Sequence, residues 1–141
     1  MRLGGLLRRG DLVCLNGELG SGKTTLVQGI AQGWGSSDSV TSPTFVLVNQ
    51  YQKVNGPELF HLDAYRLRNP MEAVNLDLDH MLESGALVVE WPGHIEKALP
   101  KLRLWINLNW VDLEQRHLVF KPVGTRFERL VKELRRYIYG G

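Results

Sequence analysis

The chain has 141 residues, of which 43% are hydrophobic and 23% charged, and its 17 Lys+Arg against 15 Asp+Glu give a formal net charge of +2. That length suits one domain with its own core, and the composition excludes intrinsic disorder, collagen-like repeats and a disulfide scaffold. So small a charge imbalance does not by itself indicate a nucleic-acid partner.

Met1 to Arg9 carries scattered leucines among arginines and glycines, too short an apolar stretch for a secretory signal. No window approaches membrane-spanning length, so a cytoplasmic protein is expected. Gly10-Asp11 breaks the chain before Leu12-Val13-Cys14-Leu15, an apolar run expected to form a central strand covered on both faces. Cys14 is the one cysteine, which excludes an internal disulfide and suits a buried thiol. From Lys23 onward, Leu26, Val27, Ile30, Ala31 and Trp34 recur at helical spacing until Gly33 to Gly35. Thr44 to Tyr51 and Glu58 to Asp63 read as strands, and Asn55-Gly56-Pro57 between them favours antiparallel pairing.

Asn69-Pro70-Met71-Glu72 is a helix-start signature, predicting a helix of about ten residues that Ser84-Gly85 ends. Ala86 to Val89 is a second buried strand closing at Glu90. Leu102, Leu104, Ile106 and Leu108 alternate with polar or amphipathic residues, the period of a half-buried strand. Gln115 to Phe120 is its expected antiparallel partner across a turn near Asp112. Thr125-Arg126-Phe127-Glu128 reads as a capping box, opening a closing helix at about 125–138 with Phe127, Leu130, Val131, Leu134 and Ile138 on one face. The basic residues Arg126, Arg129, Lys132, Arg135 and Arg136 fall largely on its other face, where a solvated surface is expected.

Gly17-Glu18-Leu19-Gly20-Ser21-Gly22-Lys23-Thr24 fits the phosphate-binding pattern G-x-x-x-x-G-K-[ST], called Walker A. The chemistry requires these residue types. Glycines let backbone N–H groups curl toward phosphate oxygens and the helix that follows presents its positive end. Lys23 adds a full charge, and the Thr24 hydroxyl can ligate Mg²⁺. The match lies between a buried strand and an amphipathic helix, the setting the motif needs. A metal-bound triphosphate also needs an acid at a neighbouring strand end, and both Asp63, after Leu59 to Leu62, and Glu90, after Leu87 to Val89, qualify. Neither Asn-Lys-x-Asp nor Asp-x-x-Gly is found in the expected place, so adenine is the expected base. The expected architecture is a single three-layer α/β/α P-loop NTPase domain, residues 1–141, with a mixed central sheet.

Taken together, Gly17 to Thr25, Ser42-Pro43-Thr44-Phe45, His61-Leu62-Asp63-Ala64-Tyr65-Arg66 and Glu90-Trp91-Pro92 resemble the TsaE (YjeE) family, small ATPases of bacterial tRNA threonylcarbamoyladenosine synthesis. The resemblance spans about residues 3 to 120. It implies that Gly17, Gly20, Ser21, Gly22, Lys23, Thr24, Thr25 and Leu26 cradle ATP, with Thr24 and Glu90 on Mg²⁺. It implies a catalytic or water-positioning Asp63, a Thr25 needed for activity, and a nucleotide contact at Arg116. Ser42 to Phe45 resembles a switch loop in which Thr44 senses the γ-phosphate. The implied partners are TsaB and TsaD, which transfer the carbamoyl group to tRNA, so that tRNA is met indirectly. Family members usually carry a further segment ahead of the position matching Leu3. Its lack from residues 1–141, through a misassigned start or a shortened domain, implies weak ATP affinity. Asp77 stands where the family commonly has glycine.

Two other readings of the same loop stay open at this level. One is a small-molecule kinase, with Asp63 and Arg66 beside an acceptor, although the segment after Glu90 reads as a short helix and two strands without a lid. The other is a nucleotide-binding module that never hydrolyses. His61 is expected to pack or hydrogen-bond at a strand end. His80, His94 and His117 are too scattered for a zinc cluster, and Trp91 suits a shield over the site, an anchor for a partner or the core.

Overall fold

The structure, a computed structural model, describes residues 2–18, 22–36, 48–52, 56–67, 71, 76–110 and 116–139. Six strands form one mixed sheet: β1 (Leu12–Asn16), β2 (Val48–Tyr51), β3 (Glu58–Asp63), β4 (Gly85–Glu90), β5 (Arg103–Trp110) and β6 (Arg116–Val123), in the spatial order β2-β3-β4-β1-β5-β6. β1 runs parallel to both β4 and β5, and β3 is parallel to β4. The edges β2 and β6 are antiparallel to their neighbours. The carboxyl ends of β1, β3, β4 and β5 therefore share one edge of the sheet, where open α/β sheets place ligands.

The pleat sends alternate side chains to opposite faces. Val13 and Leu15 of β1 enter one core with Val88 and Ile106, covered by α1 (Arg2–Leu6), α2 (Lys23–Trp34) and α4 (Thr125–Tyr139). Leu12 and Cys14 enter the other with Leu87 and Val89, covered by α3 (Leu78–Ser84) and two 3₁₀ turns over Pro92–Ala98 that kink at Ile95. Burial on both faces explains the unbroken apolar runs of β1 and β4, each buried aliphatic contributing about 1.5–3 kcal/mol. Cys14 is fully buried, and the lost hydration pushes its thiol up to about 12.

The structure adds to the sequence reading in several places and corrects it at Arg126. Residues 2–6 form a helix, because Leu3 and Leu7 are drawn into the core beside α2. α3 starts at Leu78 with Asp77 as its cap, and Asn69, Pro70 and Glu72 lie outside the described residues. Asp77 sits at φ 53°, in the left-handed region that glycine adopts freely, while its carboxylate accepts from the His80 N–H at 3.4 Å. The last helix starts at Thr125, as expected, but the residue that caps it is Gly124, whose carbonyl accepts from the Phe127 and Glu128 amides. Arg126 is no free surface cation: it donates to both oxygens of buried Asp11, at 3.2 and 2.7 Å, and to the Leu6 carbonyl. Among the described residues no helix is long and apolar enough to cross a membrane.

Candidate functional site

β1 delivers the chain into the glycine loop at Gly17, and α2 leaves it at Lys23. Gly22 holds φ 93°, a conformation side-chain-bearing residues resist, and its carbonyl accepts the first helical bond from Leu26 at 3.0 Å. This turn aims the amino end of α2, with its partial positive charge, at the loop.

The Lys23 side chain folds back over that end. Its ammonium donates to the carbonyls of Gly17 and of Glu18 (3.1 Å) and lies 3.9 Å from the centroid of the Trp91 ring. Burial holds the Lys23 ammonium below its ordinary range, opposed by the negative charges of Glu90 and then Asp63. A cation, two carboxylates and a helix amino end thus meet at one edge of the sheet.

Asp63 and Glu90 are register partners at the ends of β3 and β4, but their surroundings differ. Glu90 is 4% exposed, and its Oε2 lies 2.5 Å from Nε2 of His61. His61 is fully buried, and its Nδ1 lies 2.9 Å from the Tyr51 hydroxyl. Asp63 is half-buried, with Oδ1 accepting from the Tyr65 N–H at 3.0 Å. Burial raises its carboxyl above the usual aspartate range. The Tyr65 hydrogen bond opposes this, Glu90 adds to it, and His61 and Lys23 oppose it.

Trp91 follows at φ 57°, again left-handed, and its ring packs on Tyr65 (5.0 Å between centroids) and His94 (5.8 Å). The Ala64 N–H donates to the Glu90 carbonyl at 3.0 Å, and His94 Nδ1 is 3.0 Å from the Ala64 carbonyl. These bonds tie the turn after β3 to the turn after β4, so both strand-end acids are held from the same side.

Not every expected site residue lies here. Thr24 is half-buried and Thr25 exposed in the first turn of α2, whereas Leu26 packs against the core. Arg116 opens β6 in register with Trp110, at the same edge of the sheet but two strands from β1. Gly20, Ser21 and the segment Ser42 to Phe45 with Thr44 lie outside the described residues. Sequence reasoning missed Tyr51 as a partner of His61, and it missed Asn107, whose Oδ1 accepts from Asn16 Nδ2 (2.9 Å) and Trp105 Nε1 (3.0 Å) beside the loop. The available signal was a polar residue inside the apolar run Leu59 to Leu62, because a polar group buried there must find a partner.

Among the described residues no group of three or more His, Cys, Asp or Glu is placed to hold a metal. Among the described residues, the acids at this edge are the Asp63 and Glu90 carboxylates, and Thr24 lies in the first turn of the adjoining helix. Such a set suits a hard cation that keeps waters and leans on phosphate oxygens, as Mg²⁺ does, and not a protein-caged soft metal.

A parallel core with α2 leaving the glycine loop between β1 and its neighbours is the fold of an α/β P-loop NTPase. A family model, Threonylcarbamoyl adenosine biosynthesis protein TsaE, matches residues 1–118. The chain belongs to the TsaE family. It is 39% identical over 128 residues to the tRNA threonylcarbamoyladenosine biosynthesis protein TsaE of Bacillus subtilis, covering 91% of this chain and 80% of that one. It is 45% identical over 132 residues to the protein of the same name from Streptomyces coelicolor, covering 89% of each. The crystal structure of YdiB from Bacillus subtilis matches the fold with a TM-score of 0.77 at 34% identity, over 96% of this chain and 84% of that one.

Proposed function

We propose that this protein binds ATP with Mg²⁺ and hydrolyses it slowly, and that turnover drives or resets the TsaB/TsaD pair that makes threonylcarbamoyladenosine in tRNA. The observation that carries the reading is Lys23, in the first turn of α2, lying over the ring of Trp91, the residue after Glu90, with Asp63 the register partner of Glu90 on the next strand. In this reading the backbone from Gly17 through Gly20, Ser21 and Gly22 cradles the phosphates with Lys23, helped by Thr25, Leu26 and Arg116. Thr24 and Glu90 would hold Mg²⁺, which would neutralise charge on the phosphate oxygens. Asp63 orients the attacking water, and its raised carboxyl makes it a better proton acceptor than an ordinary aspartate. The family's place in threonylcarbamoyladenosine synthesis supports the partner assignment.

Calorimetric titration with ATP, with and without Mg²⁺, tests the binding. Lys23→Ala is expected to abolish it, whereas Asp63→Ala and Glu90→Ala keep most of the binding and lose about 10²-fold or more in turnover measured with the partner pair. Wild-type turnover in Asp63→Ala would refute its role. No heat at millimolar ATP with Mg²⁺, or no retention of the carbamoyl-transferase pair in an ATP-containing pull-down, would refute the corresponding half of the proposal.

A further inference from the structure

The three residues Tyr51, His61 and Glu90 form a hydrogen-bonded row across three neighbouring strands, β2, β3 and β4. All three are buried, at 2%, 0% and 4% exposure. Nothing in a packed α/β core calls for a histidine between Phe60 and Leu62, and an apolar residue would fill the position without having to satisfy two ring nitrogens. The row ends on Glu90, the carboxylate that shares the sheet edge with Lys23 and Asp63.

The direction of the bonds follows from donor chemistry. A carboxylate oxygen only accepts, so the proton between His61 and Glu90 lies on Nε2 of the ring. In the neutral imidazole Nδ1 is then the acceptor, and the Tyr51 hydroxyl donates to it. The carboxylate sets the tautomer, the Tyr51 hydroxyl bonded at Nδ1 fixes the plane of the ring, and the Nε2–H pins Oε2, leaving Oε1 clear of the histidine. A carboxylate held through one oxygen cannot swing its ends, which is how an outer partner orients a metal-holding group.

We propose that His61 is a positioning residue for Glu90, its ring held in place by Tyr51, and that the row fixes the carboxylate orientation required for Mg²⁺ to join a bound nucleoside triphosphate. This inference rests on the nucleotide reading above. It concerns neither the phosphate cradle nor Lys23, so it separates the two halves of binding: nucleotide without metal is indifferent to the row, and metal on the nucleotide complex is sensitive to it.

The test uses the full chain, a non-hydrolysable ATP analogue and intrinsic tryptophan fluorescence, with Mg²⁺ titrated into the analogue complex. His61→Leu is expected to weaken Mg²⁺ by about tenfold or more while the affinity for the analogue in EDTA stays within about twofold. His61→Gln, whose amide can donate from nearly the same place as Nε2, is expected to recover most of the loss. Tyr51→Phe removes only the hydroxyl, so it gives a smaller fall of about threefold and shifts the Nε2–H resonance of His61 in ligand-free protein. Where His61→Leu fails to fold, Tyr51→Phe and His61→Gln decide the matter. Wild-type Mg²⁺ affinity in His61→Leu, or in Tyr51→Phe where His61→Leu does not fold, would overturn the proposal, and so would an equal loss of analogue binding with and without metal. A wild-type protein that binds no analogue at all would overturn the nucleotide reading together with this inference, a result plainly different from normal wild-type binding with silent variants.

Discussion

The ammonium of Lys23 stands over the face of Trp91, 3.9 Å from the ring centroid, so the loop after β1 is clasped to the turn after β4. Trp91 makes this contact from a left-handed backbone conformation, φ 57°, that costs about 1–2 kcal/mol for a residue with a side chain. The cation–π contact contributes about 0.5–2 kcal/mol, and packing on Tyr65 and His94 adds to it. Trp91→Ala should lower stability by about 2 kcal/mol in urea unfolding. Trp91→Gly should be milder by about 1 kcal/mol because it also relieves the backbone. A glycine variant clearly less stable than the alanine variant would contradict this.

The raised carboxyl of Asp63 has a consequence for pH. Between the unfolded value near 3.8 and the higher folded value, the native state holds the proton more often than the unfolded chain does. Stability contributed by this group is therefore present at low pH and lost as pH rises through that window. Asp63→Asn cannot ionise, so at pH 7 it should be more stable than the parent, by less than about 1 kcal/mol because the group is partly solvated. It should also lack that part of the decline above pH 4. Thermal melts from pH 4 to 7 check both the sign and the window.

Asp11 is anchored by Arg126 through two bonds, and by the Arg8 N–H at 2.7 Å. Its side chain is 6% exposed, so removing the guanidinium strands a carboxylate in the interior. Arg126→Ala is expected to cost about 2–3 kcal/mol, less than a fully buried pair because the arginine is partly exposed. The coupling measured by a double-mutant cycle with Asp11→Ala should persist in 0.5 M salt. A coupling near zero would make this an ordinary surface pair.

α1 packs on α2 through glycine. A methyl added at Gly4 would fall 1.9 Å from the Ile30 carbonyl oxygen, whereas at Gly5 the nearest atom is the Gly33 carbonyl oxygen at 3.4 Å. Gly4→Ala should therefore push the helices apart, at about 3 kcal/mol, and release Leu3 from the core. Gly5→Ala should be neutral or stabilising, by up to about 1 kcal/mol from helix propensity. Equal effects of the two substitutions in denaturant unfolding would show that the contact is not as close as described.

Much of the fold was legible in one dimension where the signal is local. Leu12 to Leu15, Ala86 to Val89 and the helix after Lys23 follow from apolar periodicity, and the antiparallel β2 and β3 from the turn at Gly56-Pro57. Helix starts were less legible. Asp77 caps α3 from a conformation no sequence pattern announces, and Gly124 rather than Thr125 caps α4. Residues 2–6 give no strong periodic signal of their own, and their helix owes its place to the packing of Leu3 and Leu7.

By itself the order of residues determined the strand–glycine loop–helix unit, the class of the fold and the three charged side chains Lys23, Asp63 and Glu90, because backbone torsion preferences and side-chain period act between near neighbours. Only the tertiary structure decided that Glu90 is buried against His61 while Asp63 stays half-open, that Tyr51 completes the row, and that Arg126 closes on Asp11. Those partners are 29, 10 and 115 positions apart. They meet because strand order and register bring distant residues within hydrogen-bond reach, where a buried polar group has no water to accept in place of a protein partner.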